Sequence, residues 1–170
     1  MIEHLPDRLD LLATAGAGRM LRGTIALASL ERVLPALASQ DGELQIVMEL
    51  GRDPDGTHYL AGTIRGSVQL QCQRCLDAML LPLDLKFRLG LVHGQEEARQ
   101  LPAHYEPLLV TAEPAHIADI VSDEVLLALP IVALHDDRGA CRELMKEYQP
   151  SDGLQRENPF AALAELKQKH

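Results

Sequence analysis

The chain has 170 residues, 46% of them hydrophobic, which suits one ordinary domain with an aliphatic core and excludes a disordered chain. Acidic residues number 25 and basic ones 16, a formal charge of −9, so the molecule as a whole repels nucleic acid and favours protein partners or a small local basic patch. Only 3% of residues are aromatic, so base stacking has few candidates. No apolar run is long enough to cross a bilayer, and Met1 to Asp10 is mixed and acidic, unlike a signal peptide. Both features, with an odd number of cysteines, point to the cytoplasm.

In chain order, Leu21, Gly23, Ile25 and Leu27 alternate with Arg22 and Thr24, which predicts a strand with one wet face. Ser29 is placed to cap a short helix through Ala38, interrupted by Pro35. Leu44, Ile46, Met48 and Leu50 make a second strand. Asp53-Pro54-Asp55-Gly56 is a turn. Ile64, Val68, Leu70 and Cys72 form one face of a third strand, against Arg65, Ser67, Gln69 and Gln71. Leu83, Leu85, Phe87, Leu89 and Leu91 form one face of a fourth, against Asp84, Lys86 and Arg88. Pairing these two as a hairpin with Ile64 opposite Leu89, Val68 opposite Leu85, Leu70 opposite Leu83 and Cys72 opposite Leu81 keeps apolar facing apolar. That register sets Arg65 opposite Arg88.

A helix is predicted over 116–129, with Ile117, Val121, Val125 and Ala128 as its stripe, Ile120 and Leu127 widening it, and Pro130 stopping it. Residues 136–157 are polar, broken by Gly139, Pro150 and Gly153, and read as a flexible linker. Asn158-Pro159 starts a last helix, 158–170, with Phe160, Leu163 and Leu166 on one edge. The expectation is therefore an α+β fold. One domain, 1–135, carries an antiparallel sheet of about four to six strands with two or three packed helices, followed by a mobile C-terminal linker and helix.

Cys72-Gln73-Arg74-Cys75 is the most specific chemical signal. Two thiolates two residues apart on a turn grip one side of a zinc ion, which favours four such ligands in a tetrahedron. His135 and Cys141 are the candidates for the other side, about sixty residues on. The alternative is a buried strand thiol, a turn thiol and an incidental Cys141, with no metal. A redox pair is disfavoured because no helix follows. Arg65, Arg74, Lys86 and Arg88, with Arg22 on another strand, are a candidate docking patch for RNA phosphate or an acidic partner. The alternative is an ordinary solvated face. Arg65 facing Arg88 would call for an anion.

Catalytic machinery is not legible. Asp123 and Glu124 are adjacent on a helix and diverge. His93, His104 and His116 fit no ligand spacing, and Gly16-Ala17-Gly18 lacks a third glycine. Nothing marks a small-molecule substrate, a phosphate loop or a nucleophile elbow.

Val68 to Cys75, Leu101-Pro102, Tyr105-Glu106-Pro107, Asp123-Glu124 through Leu129-Pro130, His135-Asp136, and Asn158-Pro159-Phe160-Ala161 with Leu163, Leu166 and Lys167 together resemble the bacterial YceD family of large ribosomal RNA subunit accumulation proteins. The resemblance runs from about Ser67 onward. It implies a non-enzymatic role in synthesis, processing or stability of 23S ribosomal RNA. The implied partners are a large-subunit precursor, a ribosomal or assembly protein, or the RNA itself. Ala133 stands where the family commonly has proline. Some members carry a cysteine near position 135 and further cysteines after it, which would complete a metal site; this sequence departs from that pattern, and only His135 and Cys141 remain. The competing expectation is a zinc-stabilised protein-interaction module unrelated to ribosomes.

Overall fold

The computed structural model describes residues 2–135 and residue 141. Nearly all of these belong to a compact unit, Met1–Leu134; the second unit, His135–His170, is described at His135 and Cys141 alone. The expected linker, apart from Cys141, and the expected last helix lie outside the described residues.

Among residues 2–135, eight strands and three α-helices follow one another as β1 (Ile2–His4), β2 (Arg8–Leu9), α1 (Leu11–Gly16), β3 (Met20–Ala26), β4 (Glu43–Arg52), β5 (His58–Gln71), β6 (Ala78–Val92), α2 (Gln95–Gln100), β7 (Glu106–Leu109), β8 (Ala115–His116) and α3 (Ile117–Ala128). Six strands form one sheet in the order β1-β3-β4-β5-β6-β7, and β2 pairs with β8. The three inner pairings, β3 with β4, β4 with β5 and β5 with β6, are antiparallel. The outermost strands add in parallel, β1 on β3 and β7 on β6. The fold is α+β, as the alternation predicts.

Period-2 patterning decides which face is buried. Leu44, Ile46, Met48 and Leu50 of β4, Leu60, Ile64 and Val68 of β5, and Leu83, Phe87 and Leu89 of β6 all face the core. Leu11 and Ala15 of α1 belong to the same core, as do Ile117, Ile120, Val121 and Val125 of α3. The opposite sheet face carries the strands' polar residues.

The turn at 53–56 forms as expected. Asp53 N donates to the Thr57 carbonyl at 3.0 Å, Thr57 N donates to Asp53 Oδ1 at 2.8 Å, and Gly56 takes φ +92°.

Three expectations are corrected. The helix over 29–38 is instead two single 3-10 turns, Leu27–Ser29 and Leu34–Ala36. Pro35 denies an α-helix its hydrogen bond there, and Leu27, Leu30 and Val33, each three residues apart and at most 1% exposed, present one face at the 3-10 period rather than the 3.6 period. Leu127 does not widen the α3 stripe but is 75% exposed. It lies six residues after Val121, the fully buried middle of the stripe, about 120° round the helix from it.

The third correction is the hairpin register. Ile64 faces Leu85, Val68 faces Leu81 and Leu70 faces Met79, four residues from the expected pairing. A four-residue displacement keeps every side chain on its face, so the apolar pattern alone does not distinguish the two. The turn does. Cys72 N donates to the Asp77 carbonyl at 2.8 Å and Leu76 N to the Cys72 carbonyl at 2.9 Å, closing a short loop, so pairing begins at Gln71 with Ala78. Arg65 therefore faces Asp84, not Arg88, and bonds it at 3.0 Å. The unpaired like charges that would have called for an anion do not exist.

Candidate functional site

The cysteine pair sits at the tip of the long β5–β6 hairpin. Cys72 is fully buried and Cys75 half-buried. To close the loop after the second thiol, Leu76 adopts φ +65°. This left-handed conformation is costly for a branched side chain, and Leu76 is also 65% exposed. Strain of this kind persists where something else fixes the turn, and a ligand shared by the two thiols is such a constraint. Leu76→Gly should relieve it, raising stability by about 0.5–1 kcal/mol in denaturant melts while leaving the hairpin intact.

The loop is also tied to the segment after α3. Leu129 is extended ahead of Pro130, ending the helix, and the Ala133 carbonyl accepts a 2.8 Å hydrogen bond from Gln73 N. In the second unit, Cys141 Sγ lies 3.5 Å from His135 Nδ1. The ligand atoms of Cys72, Cys75, His135 and Cys141 all fall within 4.8 Å of one another. Three sulfurs and one imidazole nitrogen at such separations are a donor set that fits a tetrahedral ion such as zinc, so the four residues are able to bind a metal.

Arg65, Lys86 and Arg88 share the exposed sheet face, and Arg74 lies apart from them on the hairpin loop. Arg22 stands on the same rung as Lys86, through Val47 and Thr63. Arg65 is engaged by Asp84. Arg88 has a different environment. Its guanidinium carbon is 5.8 Å from the Tyr59 ring centroid and 5.7 Å from that of Tyr105. The two rings stack with centroids 6.2 Å apart, and His104 tilts onto Tyr105 at 4.2 Å. Tyr59 donates to Glu49 Oε1 at 2.8 Å, and Tyr105 donates to Asp53 Oδ2 at 3.1 Å. The Glu49 bond, then burial, raises the Tyr59 phenol above its ordinary value, and burial followed by Asp53 does the same for Tyr105, so both stay donors at neutral pH. Sequence reasoning missed this cluster. The one available signal was that Tyr59 and Arg88 have the wet-face parity of their strands.

Asp123 and Glu124 diverge as expected. Asp123 pairs with Arg32. Burial, then the nearby Glu106 and Asp123 charges, raises the Glu124 carboxyl above the ordinary range. A raised folded value means that the native state holds the proton longer than the unfolded chain. The contribution is full below the ordinary glutamate value and is lost as pH rises through the raised one. Glu124→Gln should therefore be more stable than the parent at neutral pH, with the gap closing in acid; denaturant midpoints at the two pH values measure it. His93 bonds Glu97 at 3.2 Å on the surface.

Residues 60–167 match the family model described as YceD, large ribosomal RNA subunit accumulation protein. The chain belongs to the YceD family. The match opens at Leu60, inside β5, and covers the hairpin, the cysteine loop and α3. A YceD relative from Haemophilus influenzae, named large ribosomal RNA subunit accumulation protein YceD, is 30% identical over 169 residues, 97% of each chain. Similarity to that YceD protein thus reaches the N-terminal residues that the motifs alone leave out. No solved structure matches the chain. Among the described residues, no helix is long and apolar enough to cross a membrane.

Proposed function

We propose that this chain promotes the accumulation of large-subunit, 23S, ribosomal RNA in the cytoplasm as a non-enzymatic factor. It docks on a large-subunit precursor through RNA or through a ribosomal or assembly protein. The observation that carries this reading is the Haemophilus influenzae relative, whose name states the role and whose similarity spans 97% of both chains. The contact is made by the exposed sheet face, where Lys86 and Arg88, with Arg22 and Arg65, offer local positive charge on an acidic chain. Arg74 extends the patch at the hairpin tip. Elsewhere the net charge of −9 suits a basic ribosomal protein.

Zinc, held by Cys72, Cys75, His135 and Cys141, is the structural cofactor in this reading. It fixes the hairpin loop rather than supplying chemistry. The donor set and the left-handed Leu76 support it.

Co-sedimentation tests the docking. Lys86→Glu combined with Arg22→Glu should leave the melting curve unchanged and shift the protein from precursor large-subunit fractions to the top of the gradient. A double variant that still sediments with precursors removes the sheet face from the reading. A zinc-stabilised interaction module outside ribosome assembly keeps the same four ligands, and it differs in one outcome: the protein never enters those fractions.

A further inference from the structure

The Arg88 cluster has a geometry that phosphate neutralisation alone does not need. A cation that meets backbone phosphate works as a point charge and is usually mobile. Arg88 is instead held against two stacked tyrosines, whose hydroxyls are anchored on Glu49 and on Asp53 of the rigid 53–56 turn. Tyr105 is 7% exposed, so it is the support and not the platform, whereas Arg88 and His104 are exposed above it. The neighbouring wet-face side chains Val47, Ala61 and Thr63 are short. Together with Glu49, Lys86, Arg88 and His104 they line a cleft of about 600 Å³. That is room for a flat group and its sugar.

We infer that the exposed Arg88–His104 surface over Tyr59 and Tyr105 is a stacking platform for an unpaired base of single-stranded RNA. The inference rests on the reading above and deepens it, by stating what the sheet face recognises. Recognition of unpaired RNA uses planar guanidinium and aromatic surfaces of this kind, because every base has a π face. Lys86 is two residues from Arg88 on the same face, about 6.8 Å along the strand, where it meets the adjoining phosphate. The Asp84 carboxylate is taken up by Arg65, and Glu49 is taken up by Tyr59. Glu106 and Glu124 also line the cleft, so Lys86 and Arg88 carry its contact with the anionic strand.

The test uses full-length protein and short fluorescein-labelled oligoribonucleotides, read by anisotropy across a salt series. An unstructured single strand should bind more tightly than the same sequence in a duplex. Arg88→Lys keeps the charge and removes the plane. It should weaken single-strand binding roughly tenfold with the salt slope unchanged. In the parent protein, photocrosslinks from 4-thiouridine RNA should map to the Arg88 and His104 peptides, which stands independently of any variant. Equal binding by Arg88→Lys, equal affinity for duplex, or crosslinks confined to other peptides overturns the platform. A parent protein that sediments with precursor subunits yet binds no free single strand overturns the platform and leaves the assembly reading standing. Absence from the precursor fractions overturns the assembly reading itself.

Discussion

Cys72→Ser is expected to lose stoichiometric zinc and to lower stability by upwards of about 4 kcal/mol. Cys72 is fully buried, at the point where β5 ends, and its amide and carbonyl both close the loop that the proposed zinc would hold. Without the proposed metal, the turn would lose a constraint on Leu76, which stands at φ +65°. The sheet itself should survive, because its core is built from β3 to β6, α1 and α3, which do not depend on the loop. Unfolding should accordingly remain cooperative at a lower midpoint. Stripping zinc from the parent with a chelator should reproduce the lowered midpoint, which separates metal loss from the cost of burying a serine hydroxyl. Parent protein purified metal-free and fully folded, or Cys72→Ser with unchanged zinc content, contradicts the metal centre.

Gly62→Ala is expected to cost about 1–3 kcal/mol, although it adds a single methyl. Gly62 sits on the core face of β5 directly opposite Phe87. An added Cβ would collide with Phe87 Cζ and meet Phe87 Cε1 at 2.8 Å and the Val47 carbonyl oxygen at 2.9 Å. The ring is confined by the core and the carbonyl belongs to the β4–β5 ladder, so neither side gives way cheaply. Gly16→Ala is the control. Nothing lies within 4 Å of its added methyl, and it should be neutral or stabilising by about 0.4–1 kcal/mol. Equal midpoints for the two variants, measured by chemical denaturation, would show that Phe87 does not cover Gly62.

The central sheet was legible because β3 to β6 each have one wet face, and alternation reports that directly. What alternation does not report is pairing offset. Ile64 opposite Leu89 and Ile64 opposite Leu85 are equally apolar, and only the loop closed by Cys72 and Asp77 separates them. Short elements escaped for a different reason. Six-residue α1 has fewer than two turns, too few to show a repeat, though Asp10, whose Oδ1 accepts from Ala13 N at 2.9 Å, was a capping signal in plain view. Strands β1, β2, β7 and β8 have two to four residues each and are stabilised by their neighbours rather than by their own pattern.

The candidate site divides in the same way. Cys72, Cys75, His135 and Cys141 were identifiable from residue type, because thiols and imidazoles are rare and their chemistry is specific. The Tyr59–Arg88–Tyr105 cluster was not, since its members come from β5, β6 and the segment before β7, and tyrosine and arginine are common on any surface. Composition argued against base stacking by counting aromatics over the chain, whereas folding concentrates two of the three tyrosines at one edge of the wet face.

The most direct measurement is the ratio of 23S to 16S ribosomal RNA in cells lacking this protein, compared with the same cells after the intact chain is restored. The expected result is a fall in the ratio that restoration reverses and that the Lys86→Glu, Arg22→Glu double variant does not. An unchanged ratio in cells without the protein would contradict a role in accumulating large-subunit RNA.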